Sequence, residues 1–188
     1  MVIEAWRARR VPPLLEREER GMKRERTYSW SDPSELIEAM GREPNHLTWM
    51  QAMIEGRLPV PAFGATLELR AVEVSEQSVA FTMPLREWML NPAGVVHGGV
   101  LATLLDSAMT FAVIARLDRA FIGTTTTLTT HFVRPLFADN SEVRAEARVL
   151  HRGRTLATAE GSLTDATGRI AAHGTGGFAI IPAPFATR

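Results

Sequence analysis

The sequence predicts an α+β fold in which an antiparallel β-sheet wraps around one long central helix. The chain contains one long apolar run of helix-forming residues, 100–117. Two segments with strand patterning precede this run and four follow it. Strands grouped on both sides of a single helix are typical of α+β proteins with an antiparallel sheet, because the helix and the sheet each bury one apolar surface.

Composition limits the class of protein. With 188 residues and 45% apolar side chains, the chain can form one domain with a sizeable core and an appendage. Its 21 basic and 21 acidic residues balance, so the overall charge indicates neither a nucleic-acid nor a membrane-surface partner. The absence of cysteine excludes disulfides, a thiolate nucleophile and a Cys-ligated metal, and it fits a cytoplasmic location. The N-terminus lacks the apolar core of a signal peptide.

The N-terminal third is predicted to lie outside the sheet. Residues 1–30 carry runs of charge interrupted by Pro12 and Pro13, which predict a solvated, poorly ordered tail. Residues 31–61 are predicted to form a helical preface of two short helices, the first starting near Asp32 and the second covering residues 47–55.

The predicted main domain spans residues 62–182 and is followed by a short tail, 183–188. Residues 66–74 alternate apolar and charged side chains, as a half-buried strand does, and residues 78–83 form the hairpin partner. After the helix, β-branched side chains predict a strand at 124–133. Two hairpins complete the sheet, with strands at 142–150, 154–164 and 170–181. We predict no membrane span, because the single long apolar run contains Asp106.

The stretch from Asn91 to Asp106 carries the residues best suited to chemistry. His97, Gly98 and Gly99 lie at the start of the predicted helix, where glycines let a ligand approach backbone N–H groups and the helix dipole favours negative charge. Asp106 lies within the apolar run, and a lone carboxylate there is unfavourable unless it is paired or used. From the residues alone, Asp106 is either a structural partner of an arginine, such as Arg116 or Arg134, or a catalytic group.

The spacing of these residues resembles that of the hotdog-fold acyl-CoA thioesterases of the phenylacetyl-CoA thioesterase (PaaI) type. The resemblance is carried by Asn91, Gly94, His97, Gly98, Gly99, Leu105 and Asp106, and extends more loosely over residues 57–181. It implies that Asp106 is the general base or the nucleophile and that the Gly98 N–H binds the oxyanion. It further implies that Asn91 holds the carbonyl or the water, with His97 in a supporting role.

Further site residues follow from the same resemblance. A Ser or Thr ten residues before the proline that ends the strand orients the base or the water in this family. Counted back from Pro135 this indicates Thr125, or Thr124 or Thr126 if the register differs by one residue. Contacts to the substrate are expected from Gly99, Thr124, Thr126 and Arg134. No metal or other cofactor is expected, since the remaining histidines lack metal-ligand spacing.

The expected partner is an acyl-CoA substrate, with no nucleic acid and no membrane. A homodimer or a dimer of dimers is expected, because Gly98 and Asp106 lie eight residues apart on one helix, about 12 Å along its axis, and both must reach one carbonyl. Two alternatives remain. One is a non-catalytic acyl-CoA-binding hotdog protein, and the other is a hotdog hydratase or dehydratase, whose Asp and His pair at the helix start is missing here.

Overall fold

The computed structural model describes residues 23–139 and 141–185. Its helices are α1 (Pro33–Arg42), α2 (His46–Ile54), α3 (Ala62–Leu67) and α4 (Gly98–Ala115). Its strands are β1 (Arg70–Val74), β2 (Val79–Pro84), β3 (Phe121–Phe132), β4 (Glu142–Arg152), β5 (Leu156–Thr164) and β6 (Ile170–Pro182). Most of the predicted tail, residues 1–22, lies outside the described residues, as do residues 186–188. Residues 23–30 have no regular secondary structure.

The six strands form one sheet in the order β1-β2-β4-β5-β6-β3, and every neighbouring pair is antiparallel. The predicted antiparallel sheet around a central helix is therefore confirmed. From β2 onward the strand ends differ from the predicted ones by at most three residues. Strand β3 lies at one edge and pairs only with β6 among the described residues, so its other side presents unpaired backbone groups.

Helix α4 packs against β2 to β6 and supplies the centre of the core. Its inward side chains are buried: Leu101, Leu104, Leu105, Ala108, Met109, Ala112 and Val113. The opposite face carries small and polar residues that stay half-buried, among them Thr103, Asp106, Ser107 and Thr110. Among the described residues α4 alone is long and apolar enough to cross a membrane, a test that the core helix of a soluble protein also passes.

The helical preface packs onto the domain through α2. Its N-terminus is fixed by a capping box. The Asn45 side chain accepts the Thr48 N–H at 3.0 Å, and the Thr48 side chain accepts the Asn45 N–H. Trp49 is buried and meets Phe111 of α4 edge-on, with ring centroids 5.4 Å apart. Phe111 also meets Phe81 of β2 at 4.9 Å, so a row of aromatic rings joins the preface to the core.

The predicted strand at residues 66–74 is wrong over its first four residues. Residues 66 and 67 instead complete α3, which follows Pro61. Glu68 then adopts a left-handed conformation, with φ 59°, which ends the helix and turns the chain so that Leu69 is buried and β1 starts at Arg70. Alternation over only four residues fits the end of a short helix as well as the start of a strand. The left-handed turn at Glu68 determines that the helix ends and the strand begins after it.

Candidate active site

The loop before α4 is a tight, internally bonded turn. Leu90 and Val96 form an isolated antiparallel bridge, and the Asn91 N–H donates to the Val95 carbonyl at 2.8 Å. The Asn91 Oδ1 accepts the N–H groups of Ala93 at 2.9 Å and Val95 at 3.3 Å. Its Nδ2 donates to no group within residues 23–139 and 141–185, so the amide end of Asn91 is available to a ligand.

His97 caps helix α4. Its backbone N–H donates to the Met89 carbonyl at 2.8 Å, and its Nδ1 accepts the Gly99 N–H at 2.9 Å. Because Nδ1 accepts, the neutral ring carries its proton on Nε2. The side chain is exposed, so Nε2–H is a donor directed away from the helix cap. Gly99 is predicted to contact substrate, but its N–H already donates to His97.

Gly98 is the first residue of α4, and its N–H donates to no group in the described part of the chain. A Cβ at this position would lie 3.1 Å from the ring of Phe132, a tight contact that a small movement of the ring would relieve. A cavity of about 230 Å³ opens beside it, lined by Asn91, Val95, Val96, Gly98, Leu101, Phe132, Arg134, Pro135 and Leu136. An unpaired N–H at a helix N-terminus, facing a cavity, is suited to receive a developing negative charge.

Asp106 lies two turns further along α4 and is half-buried. The Thr125 hydroxyl donates to its Oδ1 at 2.8 Å, and the Thr110 hydroxyl lies 3.4 Å from that of Thr125. No salt bridge joins Asp106 to Arg116 or Arg134 in the described ranges; Arg134 instead donates to the Ile170 carbonyl at 3.3 Å. Asp106 therefore does not form the structural ion pair with an arginine that was the alternative to a catalytic role.

A β-bulge between Thr125 and Thr127 explains why one threonine of this strand reaches the helix. Thr125 pairs with Phe178 and Thr127 with Gly177, so Thr126 is the extra residue. Thr124 and Thr126 are exposed on the edge strand, and no contact joins either side chain to Asp106 in the part of the chain that is described.

The predicted site residues thus fall into two groups. Asn91, Gly98 and Arg134 line one cavity. Asp106 lies eight residues after Gly98 on the helix, about 12 Å along its axis, and Thr125 contacts it from β3. Sequence reasoning missed Phe132 and Thr110. Both could have been found from periodicity. Phe132 is two residues before Arg134, on the same face of a strand, and Thr110 is four residues after Asp106, on the same face of a helix.

Comparison with known proteins identifies the family. A sequence model of the thioesterase superfamily matches residues 93–172, which include His97, Gly98, Asp106 and Thr125. The acyl-coenzyme A thioesterase 13 of Mus musculus is 32% identical over 117 residues, which cover 61% of this chain and 82% of the mouse protein. The chain belongs to the thioesterase superfamily.

Solved structures agree with this membership of the thioesterase superfamily. A phenylacetic acid degradation-related protein of Ralstonia eutropha JMP134 has a TM-score of 0.63 and 30% identity, covering 69% of this chain and 98% of that one. The E. coli PaaI protein has a TM-score of 0.63 over 74% of this chain and 96% of its own, and at 24% identity it supports the fold alone. The predicted hotdog fold and thioester hydrolase class are confirmed.

Proposed function

We propose that this protein hydrolyses acyl-CoA thioesters with water. The observation that carries the proposal is the unpaired Gly98 N–H, which starts α4 beside a cavity while His97 occupies the next amide. The relatives named acyl-coenzyme A thioesterase 13 in mouse and human, at 32% and 30% identity, support the substrate class.

In the proposed reaction, Asp106 removes a proton from a water molecule as the water oxygen bonds to the thioester carbon. Thr125 holds Oδ1 of Asp106, which leaves Oδ2 to accept this proton. The carbonyl oxygen becomes an oxyanion that accepts the Gly98 N–H, while Asn91 and His97 Nε2–H orient the carbonyl. The tetrahedral intermediate then loses the CoA thiolate, which takes the proton from Asp106, and the free acid forms.

The residues also allow direct attack by Asp106, which would form an anhydride that water then hydrolyses. The two routes differ in where solvent oxygen goes. A single turnover in ¹⁸O-water labels the acid product in the general-base route, whereas attack of water on the Asp106 carbonyl of an anhydride leaves the label in the enzyme.

The proposed site combines two chains. Asp106 and Gly98 of one chain are too far apart along α4 to serve one carbonyl. A two-fold partner that pairs its β3 edge with this one places the two polar α4 faces together, so that Gly98 of each chain faces Asp106 of the other. The dimer, or a dimer of dimers, therefore follows from the proposed chemistry. Arg134 at the cavity wall suits a CoA phosphate, and the cysteine-free chain suits the cytoplasm.

A hydrolysis screen tests the proposal. Thiol release is measured for short, medium, long and aryl acyl-CoAs, with Asp106→Asn as the matched variant, because the amide keeps the shape of the carboxylate and cannot act as a base. We expect turnover of at least one class by the wild type and a loss of about 10²- to 10⁴-fold in the variant. Tight binding of acyl-CoA with no turnover by the wild type would overturn the proposal in favour of a non-catalytic acyl-CoA-binding protein.

A further inference from the structure

Arg26 is the half-buried residue of the otherwise exposed segment 23–30 and contacts the domain. Its guanidinium carbon lies 3.9 Å from the centroid of the Trp88 ring and 5.2 Å from that of Tyr28. The same group donates to the Thr66 carbonyl and lies 3.7 Å from Glu68 Oε1. Only 27% of the Arg26 side chain is exposed. An arginine stacked on a tryptophan and held by a carboxylate is a specific contact, because the planar guanidinium satisfies both partners at once.

Trp88 belongs to the short 3₁₀ turn Glu87–Met89, which leads directly into the active-site loop. The carbonyl of the next residue, Met89, accepts the His97 N–H at 2.8 Å. His97 in turn caps α4 and fixes the direction of the first helical amides. The residue that Arg26 contacts is therefore adjacent to the residue whose carbonyl holds His97.

Glu68 provides a second connection to the same turn. Arg86, the residue before the turn, donates to Glu68 Oε2 at 2.7 Å and to Oε1 at 3.3 Å, and this hydrogen bonding lowers the pKa of Glu68. Glu68 is also the one non-glycine residue with positive φ among the described residues, a conformation that side chains seldom adopt. Its carboxylate thereby meets Arg26 and Arg86 together, so the N-terminal segment and the turn share one acceptor.

We propose that Arg26 is a positioning residue, which fixes the Glu87–Met89 turn through Trp88 and Glu68 and so sets the His97 cap beside Gly98. This inference rests on the proposed thioesterase function, since it assigns Arg26 an effect on that reaction. Loss of the contact loosens the Met89 carbonyl and the cap that aligns the Gly98 N–H. Because that N–H acts on the oxyanion and not on the bound thioester, the effect falls on kcat more than on KM.

The first experiment measures kcat and KM of full-length Arg26→Gln. The matched control is Arg57→Gln, because Arg57 forms an exposed ion pair with Glu55 at 2.7 Å and has no hydrogen bond or ion pair to the Glu87–Met89 turn among the described residues. We expect kcat to fall about three- to tenfold in Arg26→Gln, with KM within about twofold, and to be unchanged in the control. Arg26→Lys keeps the charge without the planar group and should fall between wild type and Arg26→Gln. If Arg26→Gln does not fold, Arg26→Lys replaces it in every comparison.

A double-mutant cycle with Trp88→Leu tests the route of the effect. If Arg26 acts partly through Trp88, the double variant loses less kcat than the two single losses multiplied together predict. Fully additive losses, or an unchanged kcat in Arg26→Gln, would overturn the proposal.

Hydrogen exchange of the His97 amide gives a readout that does not depend on turnover. The expected result is faster exchange in Arg26→Gln and wild-type exchange in Arg57→Gln, because the Met89 carbonyl is the acceptor of that amide. Unchanged protection in Arg26→Gln would overturn the positioning role even if kcat falls. A wild-type protein that hydrolyses no acyl-CoA would instead refute the proposed function, while the exchange result would still decide the coupling of Arg26 to His97.

Discussion

The Thr125 hydroxyl donates to Asp106 Oδ1 across 2.8 Å, joining the edge strand β3 to the central helix. The two residues are 19 positions apart in sequence, and Thr125 lies directly before the bulge of β3. One carboxylate oxygen is thereby held in place, and the other accepts no hydrogen bond from the residues that the structure describes. The contact gives the carboxylate a fixed orientation without neutralising its charge.

Replacing Thr125 with valine should slow turnover while preserving the fold. Valine has nearly the same shape but cannot donate to Asp106, so the carboxylate loses its orientation. A hydrogen bond to a charged group contributes about 1.5–3 kcal/mol, which corresponds to a loss in kcat of about 10- to 100-fold. Thr129→Val, an exposed change on the same strand, is the control and should have wild-type kcat. Equal activity of the two variants would remove Thr125 from the site.

Gly98→Ala should reduce activity by crowding the oxyanion donor. The added Cβ would lie 3.1 Å from the Phe132 ring, which is 49% exposed and can shift outward, so the melting temperature should change little. The added methyl group narrows the cavity beside the Gly98 N–H, which Phe132 also lines, and loss of one oxyanion donor costs about 10²-fold or more in kcat. Partial recovery is expected in Gly98→Ala/Phe132→Leu, which makes room for the methyl group. Wild-type kcat in Gly98→Ala alone would refute the assignment of this amide.

Mixing inactive Asn91→Ala and Asp106→Ala proteins should restore activity after joint unfolding and refolding. With Asn91 and Asp106 contributed by opposite chains, each mixed dimer has one intact site and one site with both changes. Random pairing makes about half of the dimers mixed and half of their sites intact, giving about a quarter of wild-type activity. Mass spectrometry under native conditions should verify that mixed dimers form. Mixed dimers without activity would place each site within a single chain.

Stability should decrease in mild acid because of His46. This residue is 1% exposed; its Nδ1 accepts the Trp49 Nε1–H at 2.9 Å and its Nε2 lies 2.8 Å from the Phe121 carbonyl. Burial lowers the pKa of His46 below its ordinary 6.5, although the Phe121 and Asp118 carbonyls oppose the shift. The unfolded chain therefore binds a proton at a pH where the native chain does not. Stability is complete above about pH 6.5 and falls as the pH drops from there through the native-state pKa.

Urea unfolding at pH 7.5, 6.0 and 5.0 checks this expectation. His46→Gln keeps an acceptor for Trp49 and a donor for Phe121 but does not titrate, so its free energy of unfolding should depend less on pH. Each unit by which the pKa is lowered corresponds to about 1.4 kcal/mol of lost stability at low pH. Parallel pH profiles for wild type and His46→Gln would contradict a neutral buried His46.

Much of the fold was predictable because it depends on local patterns. Hairpin turns and β-branched side chains identified the strands from β2 onward, and the apolar run of α4 identified the central helix. The spacing from Asn91 to Asp106 was enough to indicate the family. The start of β1 was not predictable, since it depends on the left-handed turn at Glu68, whose carboxylate meets two distant arginines.

The sequence by itself determined the order of the six strands and the central helix and the residue types at the site. The tertiary structure alone decided which of several threonines meets Asp106, which amide of the glycine pair remains unpaired, and that Arg26 rests on Trp88. The periodicity of apolar residues in the sequence indicates on which face of a helix or strand a residue lies, because the local backbone sets that face. Contacts between residues far apart in sequence depend on bulges, caps and packing distances, which arise only when the sheet has closed around the helix.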